Sequence, residues 1–260
     1  MAEKSVGFIG GGRIVRIMLQ ALKRAASLPQ SVIVSDTNLD AIAAFPAVFP
    51  GVSAAHNDNR RAAGQDIVFL AVHPPVVTEV LAEIRDSLRP DALLISLAPN
   101  PSIKKMEELL RGFNHIVRML PNAPSLINSG FNPVVFSPAI SAENKTWLQE
   151  MFGLFGSSPE VPEDKLPAYA ILSMLGPTYF LFQLHELHRL AESFGLTHQE
   201  IQDTMFGMVS GTLKTLYMSH LPAERVMDLT PLKPLADMEE SVKEAYRNRL
   251  SAAYNSLKQP

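Results

Sequence analysis

The apolar positions of this chain fall into two regimes. Up to about residue 160, short runs of consecutive apolar residues alternate with longer stretches in which apolar residues recur every three or four positions. The short runs are 5–9 (SVGFI), 31–35 (SVIVS), 66–72 (DIVFLAV), 92–97 (ALLISL), 115–119 (HIVRM) and 133–137 (PVVFS), and they predict strands. Between them, 13–26 puts Ile14, Ile17, Met18, Ala21, Leu22 and Ala25 on one helical face, closed by Ser27-Leu28-Pro29. Residues 39–45 predict a helix stopped by Pro46, and 76–88 and 103–110 predict two more. Strands that are apolar throughout, with helices between them, are those of a parallel sheet covered on both faces.

Beyond Pro162 no strand pattern is found. Residues 169–194 predict a long apolar-rich helix kinked at Gly176-Pro177. Residues 198–220 predict another, opened by Thr197 with Glu200 three positions later, a capping box. Residues 235–257 predict a third, amphipathic and charged. The chain therefore divides near residue 162, into an α/β domain over 1–162 and an all-helical domain over 163–260.

Composition narrows the class. In 260 residues, 47% are hydrophobic and 19% charged, with a formal net charge of −3, as expected of a globular protein with a sizeable core. No basic face for nucleic acid is expected at that charge. The absence of cysteine removes disulfides, thiol nucleophiles and thiolate metal sites. No apolar run approaches the length needed to cross a membrane, and no leader pattern opens the sequence, so a cytoplasmic protein is expected.

Candidate chemistry begins at Gly10-Gly11-Gly12, between the first strand and the first helix. Gly10-x-Gly12 fits the start of the dinucleotide fingerprint, in which one glycine allows the tight turn and the next lets the backbone approach a pyrophosphate at the helix N-terminus. Arg13 and Ile14 open the helix. The third fingerprint position falls on Val15. Asp36, at the end of the second strand, stands where an acidic residue accepts hydrogen bonds from the adenosine ribose, or else begins a turn with Thr37-Asn38. With no Arg or Lys from Ser35 to Asp40, NADH is favoured over NADPH, while Arg13 can still reach a 2′-phosphate from the glycine loop. In such a sheet ligands bind beyond the C-terminal strand ends, which places Ala71, Val72, His73, Pro74 and Ala98 at the cofactor. After the fifth strand, two prolines flank Asn122 in a loop rigid enough to aim an amide at a nicotinamide or a substrate.

These residues resemble the pyrroline-5-carboxylate reductase family. The resemblance is carried by GFIGGGRIV at 7–15, DIVFLAVHP at 66–74, VRMLPNAPSLINSG at 117–130 and LSMLGPTYF at 172–180, and it runs over nearly the whole chain. It implies a Rossmann-type, mostly parallel α/β domain followed by a helical domain of the 6-phosphogluconate dehydrogenase C-terminal-like kind. It also implies a homodimer or larger homo-oligomer through those helices, and hydride transfer from NAD(P)H to the carbon of a small cyclic imine, most directly pyrroline-5-carboxylate to give proline. The β-hydroxyacid dehydrogenases share this plan but carry a lysine soon after a glycine motif on the long helix. Here the first lysine after Gly176 is Lys214.

The chain departs from the family's pattern at several positions. The family's lysine before the proline of the third strand end is His73. Its S-G-S-G-P-A-Y segment is Ser173-Met174-Leu175-Gly176-Pro177-Thr178-Tyr179. Its carboxylate-holding S-P-G-G-T-T loop corresponds to Thr230-Pro231-Leu232-Lys233-Pro234-Leu235, where Pro234 removes an amide donor. Lys233 is a candidate replacement as a point charge. His185, His188 and Arg189 share one helical face and can hold a carboxylate or donate a proton, or form a solvated polar face. The catalytic candidates are thus Asn122, Ser173, His185 and Lys233, with no metal ligands among them. Three activities stay open: proline formation with an altered carboxylate site, reduction of another small imine or carbonyl compound, and nucleotide binding in a non-catalytic regulatory protein.

Overall fold

A computed structural model of the chain describes residues 4–258. Strands β1 (Val6–Ile9), β2 (Val32–Asp36), β3 (Val52–His56), β4 (Ile67–Leu70), β5 (Leu93–Ser96), β6 (Ile116–Met119) and β8 (Val134–Phe136) form a seven-stranded sheet in the order β3-β2-β1-β4-β5-β6-β8. All neighbours are parallel except β8, which runs antiparallel to β6. A small parallel pair, β7 (Gly130–Phe131) and β9 (Gly156–Ser157), stands apart. The order reverses at β1, with β2 on one side and β4 on the other, which makes a crevice beyond the C-terminal end of β1.

The crossovers are helices α1 (Arg13–Arg24), α2 (Leu39–Ile42), α3 (Phe45–Val48), α4 (Asn59–Ala63), α5 (Pro74–Ile84), α6 (Ile103–Leu109) and α7 (Ala142–Gly153). Successive strand residues face opposite ways. Phe8, Val34, Phe69 and Ile95 point to one face, with Met18 and Leu22 of α1 and Phe152 of α7. Ile9, Ile33, Val68 and Leu94 point to the other, with Leu81 of α5 and Met106 of α6. Phe8 and Phe69, register partners on adjacent strands, stack at 4.7 Å. Burying both faces is why these strands read as unbroken apolar runs.

After β9 come α8 (Leu166–Tyr169), a single π-turn (Ala170–Met174), α9 (Pro177–Ser193), α10 (His198–Met218), α11 (Ala223–Met227) and α12 (Glu239–Lys258). Among the described residues, those up to Pro177 and from Ala253 onward form one compact unit, and Thr178–Ala252 form a second. Leu166 and Ala170 pack into the first unit's core.

The structure changes several expected elements. β3, β7, β9, α4, α7, α8 and α11 were not expected. The helix expected over 39–45 is two, because Pro46 begins α3 as an early-turn proline instead of ending α2. The kink expected at Gly176-Pro177 spreads over the π-turn, and a Cβ at Gly176 would collide with the Leu172 carbonyl. The last helix starts at Glu239, not 235, and the capping box of Thr197 and Glu200 opens α10 as expected.

Candidate functional site

β1 ends at Ile9, and the chain must turn off the sheet to begin α1 at Arg13. Gly10 takes φ +100° and donates its N–H to the Ser35 carbonyl at 2.7 Å. A Cβ there would lie 2.5 Å from the Ala71 carbonyl oxygen. At Gly11 a Cβ would collide with Ile42. Packing therefore requires both glycines. Gly12 is different: a Cβ there would meet nothing within 4 Å. No neighbour demands glycine at this position, and its bareness leaves open space directly over the helix start. Gly12 caps α1 without a side-chain bond, and the first bond of the helix runs from Arg16 N–H to the Gly12 carbonyl at 3.3 Å. The N–H groups of Arg13, Ile14 and Val15 precede that bond and point towards the open space, a natural seat for an anion. Val15, the third fingerprint position, is fully buried in the core face shared with Phe8 and Val34.

Asp36 closes the other side of the turn. Its carboxylate accepts from Gly11 N–H at 2.6 Å and from Asn38 N–H at 2.7 Å. It is at once a turn-former and a carboxylate held in one orientation. A carboxylate offers about four acceptor positions, so two engaged backbone donors leave capacity for hydroxyls.

The remaining strand ends line the same edge of the sheet. Ala71 and Val72 are half-buried, exposed His73 caps α5 and Pro74 is its first residue. Ala98, after β5, is buried. Beyond β6, Asn122 is buried, and its backbone N–H and both side-chain polar atoms are hydrogen-bonded. Its N–H donates to Asn132 Oδ1 at 3.2 Å, its Oδ1 accepts from Phe131 N–H at 3.2 Å, and its Nδ2 donates to the Ser173 carbonyl at 3.1 Å. Ser173 donates its hydroxyl to the Tyr169 carbonyl at 2.9 Å, inside the π-turn. Asn122 therefore ties the β6 loop to the segment leading into α9.

Sequence reasoning missed Arg118 and Glu163. Arg118 sits inside β6 and is 4% exposed. It donates to Glu163 Oε1 at 2.6 Å and to the Pro99 carbonyl. The same Glu163 oxygen accepts from Ile103 N–H at 2.8 Å. An arginine within the apolar run HIVRM is the signal that could have pointed to a buried partner.

His185 and Lys233 belong to the second unit. His185 is exposed on α9. Its neighbours carry their own counter-charges: His188 Nε2 lies 3.4 Å from Glu192 and Arg189 lies 3.8 Å from Glu186. Lys233 is exposed and, with Tyr179, Gln183, Leu235 and Tyr246, lines a cleft of about 1010 Å³. Burial raises the Tyr179 phenol above its ordinary value, and Tyr246 adds to the shift.

A family model described as NADP oxidoreductase, coenzyme F420-dependent, matches residues 5–100. The pyrroline-5-carboxylate reductase of Escherichia coli (strain K12) is 31% identical over 182 residues, which are 69% of this chain and 67% of that protein. The chain belongs to the pyrroline-5-carboxylate reductase family. The pyrroline-5-carboxylate reductase of Haemophilus influenzae is 28% identical over 80% of this chain and 78% of its own. Among solved structures, a pyrroline-5-carboxylate reductase from Coxiella burnetii superposes with a TM-score of 0.71 at 26% identity, covering 99% of this chain and 98% of that one. The Plasmodium falciparum pyrroline carboxylate reductase, crystallised with NADP bound, has the same fold, with a TM-score of 0.81 at 22% identity over 99% of this chain and 98% of its own. This pyrroline-5-carboxylate reductase family member thus shares the fold of those two solved proteins.

Proposed function

We propose that the protein is an NAD(P)H-dependent reductase of a small cyclic imine, most directly of pyrroline-5-carboxylate to proline. The carrying observation is the bare turn at Gly12, where no packing contact calls for glycine and the first amides of α1 lie open. Gly10, Gly11, Gly12, Arg13 and Ile14 would hold the diphosphate, and Asp36 the adenosine ribose, with Ala71, Val72, His73, Pro74 and Ala98 along the rest of the dinucleotide. When bound, the reduced nicotinamide supplies the hydride to the imine carbon. Imine reduction asks little else of a protein than a positioned acceptor, exclusion of water and a proton for the nitrogen. Asn122 and Ser173 support the reading as the fixed floor beyond β6. His185 and Lys233 are the cationic candidates of the helical part, assigned to 163–260, with the nucleotide part assigned to 1–162.

The fixed Asp36 carboxylate supports NADH over NADPH, because a 2′-phosphate there would meet a like charge that two backbone donors hold in place. A cytoplasmic location and a homodimer through the helical part belong to the same proposal.

A second reading is favoured by the loop 230–235. Pro231 and Pro234 have no N–H to offer, and every residue of that loop is exposed. On that reading the enzyme reduces a different small imine or a carbonyl compound, or binds the nucleotide without turnover.

One experiment separates these. Purified protein is mixed with NADH or NADPH and pyrroline-5-carboxylate, and nucleotide absorbance is followed. Rapid oxidation, faster with NADH, is expected. Tight nucleotide binding with no oxidation by pyrroline-5-carboxylate moves the assignment to the second reading, and no nucleotide binding ends both.

A further inference from the structure

We infer that Arg118 and Glu163 form a positioning clamp that fixes the loop 98–103 under the nicotinamide half of the dinucleotide. The inference rests on the nucleotide reading above, and it concerns residues that touch neither the diphosphate turn nor the ribose carboxylate.

The strand order decides which half of the dinucleotide is involved. Asp36 ends β2, so the adenosine end belongs over β2. β4, β5 and β6 lie on the opposite side of β1, so the nicotinamide end extends over them. The loop that leaves β5 on that side runs from Ala98 to the start of α6. Two of its backbone groups are held by one ion pair. Arg118, reaching from the adjacent β6, takes the Pro99 carbonyl, and Glu163 takes Ile103 N–H at 2.8 Å while pairing with Arg118 at 2.6 Å. Both ends of the loop are thus referred to a single carboxylate oxygen. Asn122, from the loop beyond β6, makes a parallel stitch to Ser173.

Stability alone is a poor reason for this arrangement. Arg118 is 4% exposed and its charge has left water, while the Glu163 side chain is 33% exposed, so the pair gains little over well-packed apolar residues: one charge is desolvated and the other is screened by solvent. Arg118 is also left with a buried Nε that has no hydrogen-bond partner, a further cost. What such a pair supplies without question is direction, because a guanidinium fork holds its acceptors at fixed angles. A loop held at two points presents its backbone in one geometry, and a ligand half that lies on it then binds without ordering it first.

The test compares NADH with ADP-ribose, which keeps the adenosine and diphosphate and lacks the nicotinamide. Affinities are measured by titration calorimetry for the wild type and for Glu163→Ala, Glu163→Gln and Glu163→Asp. In Glu163→Ala, NADH affinity is expected to fall about tenfold, the loss typical of a hydrogen bond to a charged group, while ADP-ribose binds as in the wild type. Glu163→Gln keeps an oxygen that can accept from both donors and is expected to retain NADH affinity. Glu163→Asp keeps the charge but is one methylene short of Ile103, and is expected to lose NADH selectively by a smaller factor. Should Glu163→Ala not fold, Glu163→Asp decides. Parallel loss of both ligands, or unchanged NADH affinity in Glu163→Ala and Glu163→Asp, overturns the clamp and leaves the nucleotide assignment standing. A wild type that binds neither ligand overturns the nucleotide assignment, and the clamp with it.

Discussion

Three adjacent glycines carry three different constraints. At Gly10 the constraint is backbone sign and proximity, φ +100° and a carbonyl 2.5 Å from any Cβ. At Gly11 it is the wall made by Ile42, and at Gly12 it is none that the folded chain imposes. Two substitutions separate these causes. Gly10→Ala is expected to cost about 1–3 kcal/mol of stability through strain at positive φ and to lower the melting temperature. Gly12→Asp is expected to leave the melting temperature near that of the wild type, because its Cβ has room. It is also expected to abolish NADH binding, because a carboxylate would stand where the diphosphate approaches. Normal NADH affinity in folded Gly12→Asp would remove the reading of this turn. The distinction was half legible in the sequence. Gly-Gly-Gly between an apolar run and a helical period marks a backbone requirement, but the neighbours Ile42 and Ala71 come from distant segments, and only the fold assigns each glycine its reason.

At the scale of elements, the hydrophobic period located six strands of the seven-stranded sheet and missed the short pair β7 and β9, as well as β3. That strand lies at the sheet edge, where Val52 and Ala55 are buried while Ser53 and Ala54 carry little apolar signal, so neither a continuous run nor a clear alternation results. Arg118 was legible as an anomaly inside β6. Its partner was not, because Glu163 is 45 residues away and nothing local distinguishes it from other surface glutamates. The start of β4 offers a prediction about how strands are held in register. Asp66 accepts from Ser5 Oγ at 2.6 Å and Ser5 N–H at 2.8 Å, and pairs with Arg89 at 2.8 Å. The Ser5 hydroxyl is the largest cause that holds its carboxyl below the ordinary value of 3.8, with the Ser5 amide and Arg89 adding to it and burial opposing it. A depressed folded pKa contributes stability above the unfolded value and loses it as pH falls through the folded one. Asp66→Asn is therefore expected to be less stable than the wild type at neutral pH, with the gap closing as pH drops below 3.8. Denaturant midpoints measured along an acid series check this. A gap that stays constant to the lowest pH would mean that the ionised carboxylate contributes nothing.

At the scale of the molecule, the two compact units differ in how well they bury themselves. The first has a core on each face of its sheet. In the second, α9, α11 and the part of α12 up to Ala252 bury no residue and α10 buries only Ile201. Its large side chains face outward, with Phe194 77%, Phe206 75% and Tyr217 78% exposed. Helices gain most of their stability from packing an apolar face, so a unit arranged this way lacks the usual source of it. Isolated apolar residues on a surface need no explanation, but so many large apolar side chains exposed on one helical unit are the composition expected of an interface. Aromatic rings bury about 150–250 Å² each, so a few of them supply much of the roughly 800 Å² per partner of a stable interface. A second copy of the chain is the proposed occupant, because the same helices then complete one another and the interface closes by symmetry. Sedimentation of the purified protein is expected to show a dimer or larger species and no one-chain species at micromolar concentration. Phe206→Glu is expected to shift that distribution towards the single chain and to lower helical ellipticity at the same time, since folding of the second unit and association are then one equilibrium. A wild type that sediments as a single chain with full helicity would show that the exposed face is stable in water and that the helical unit needs no partner.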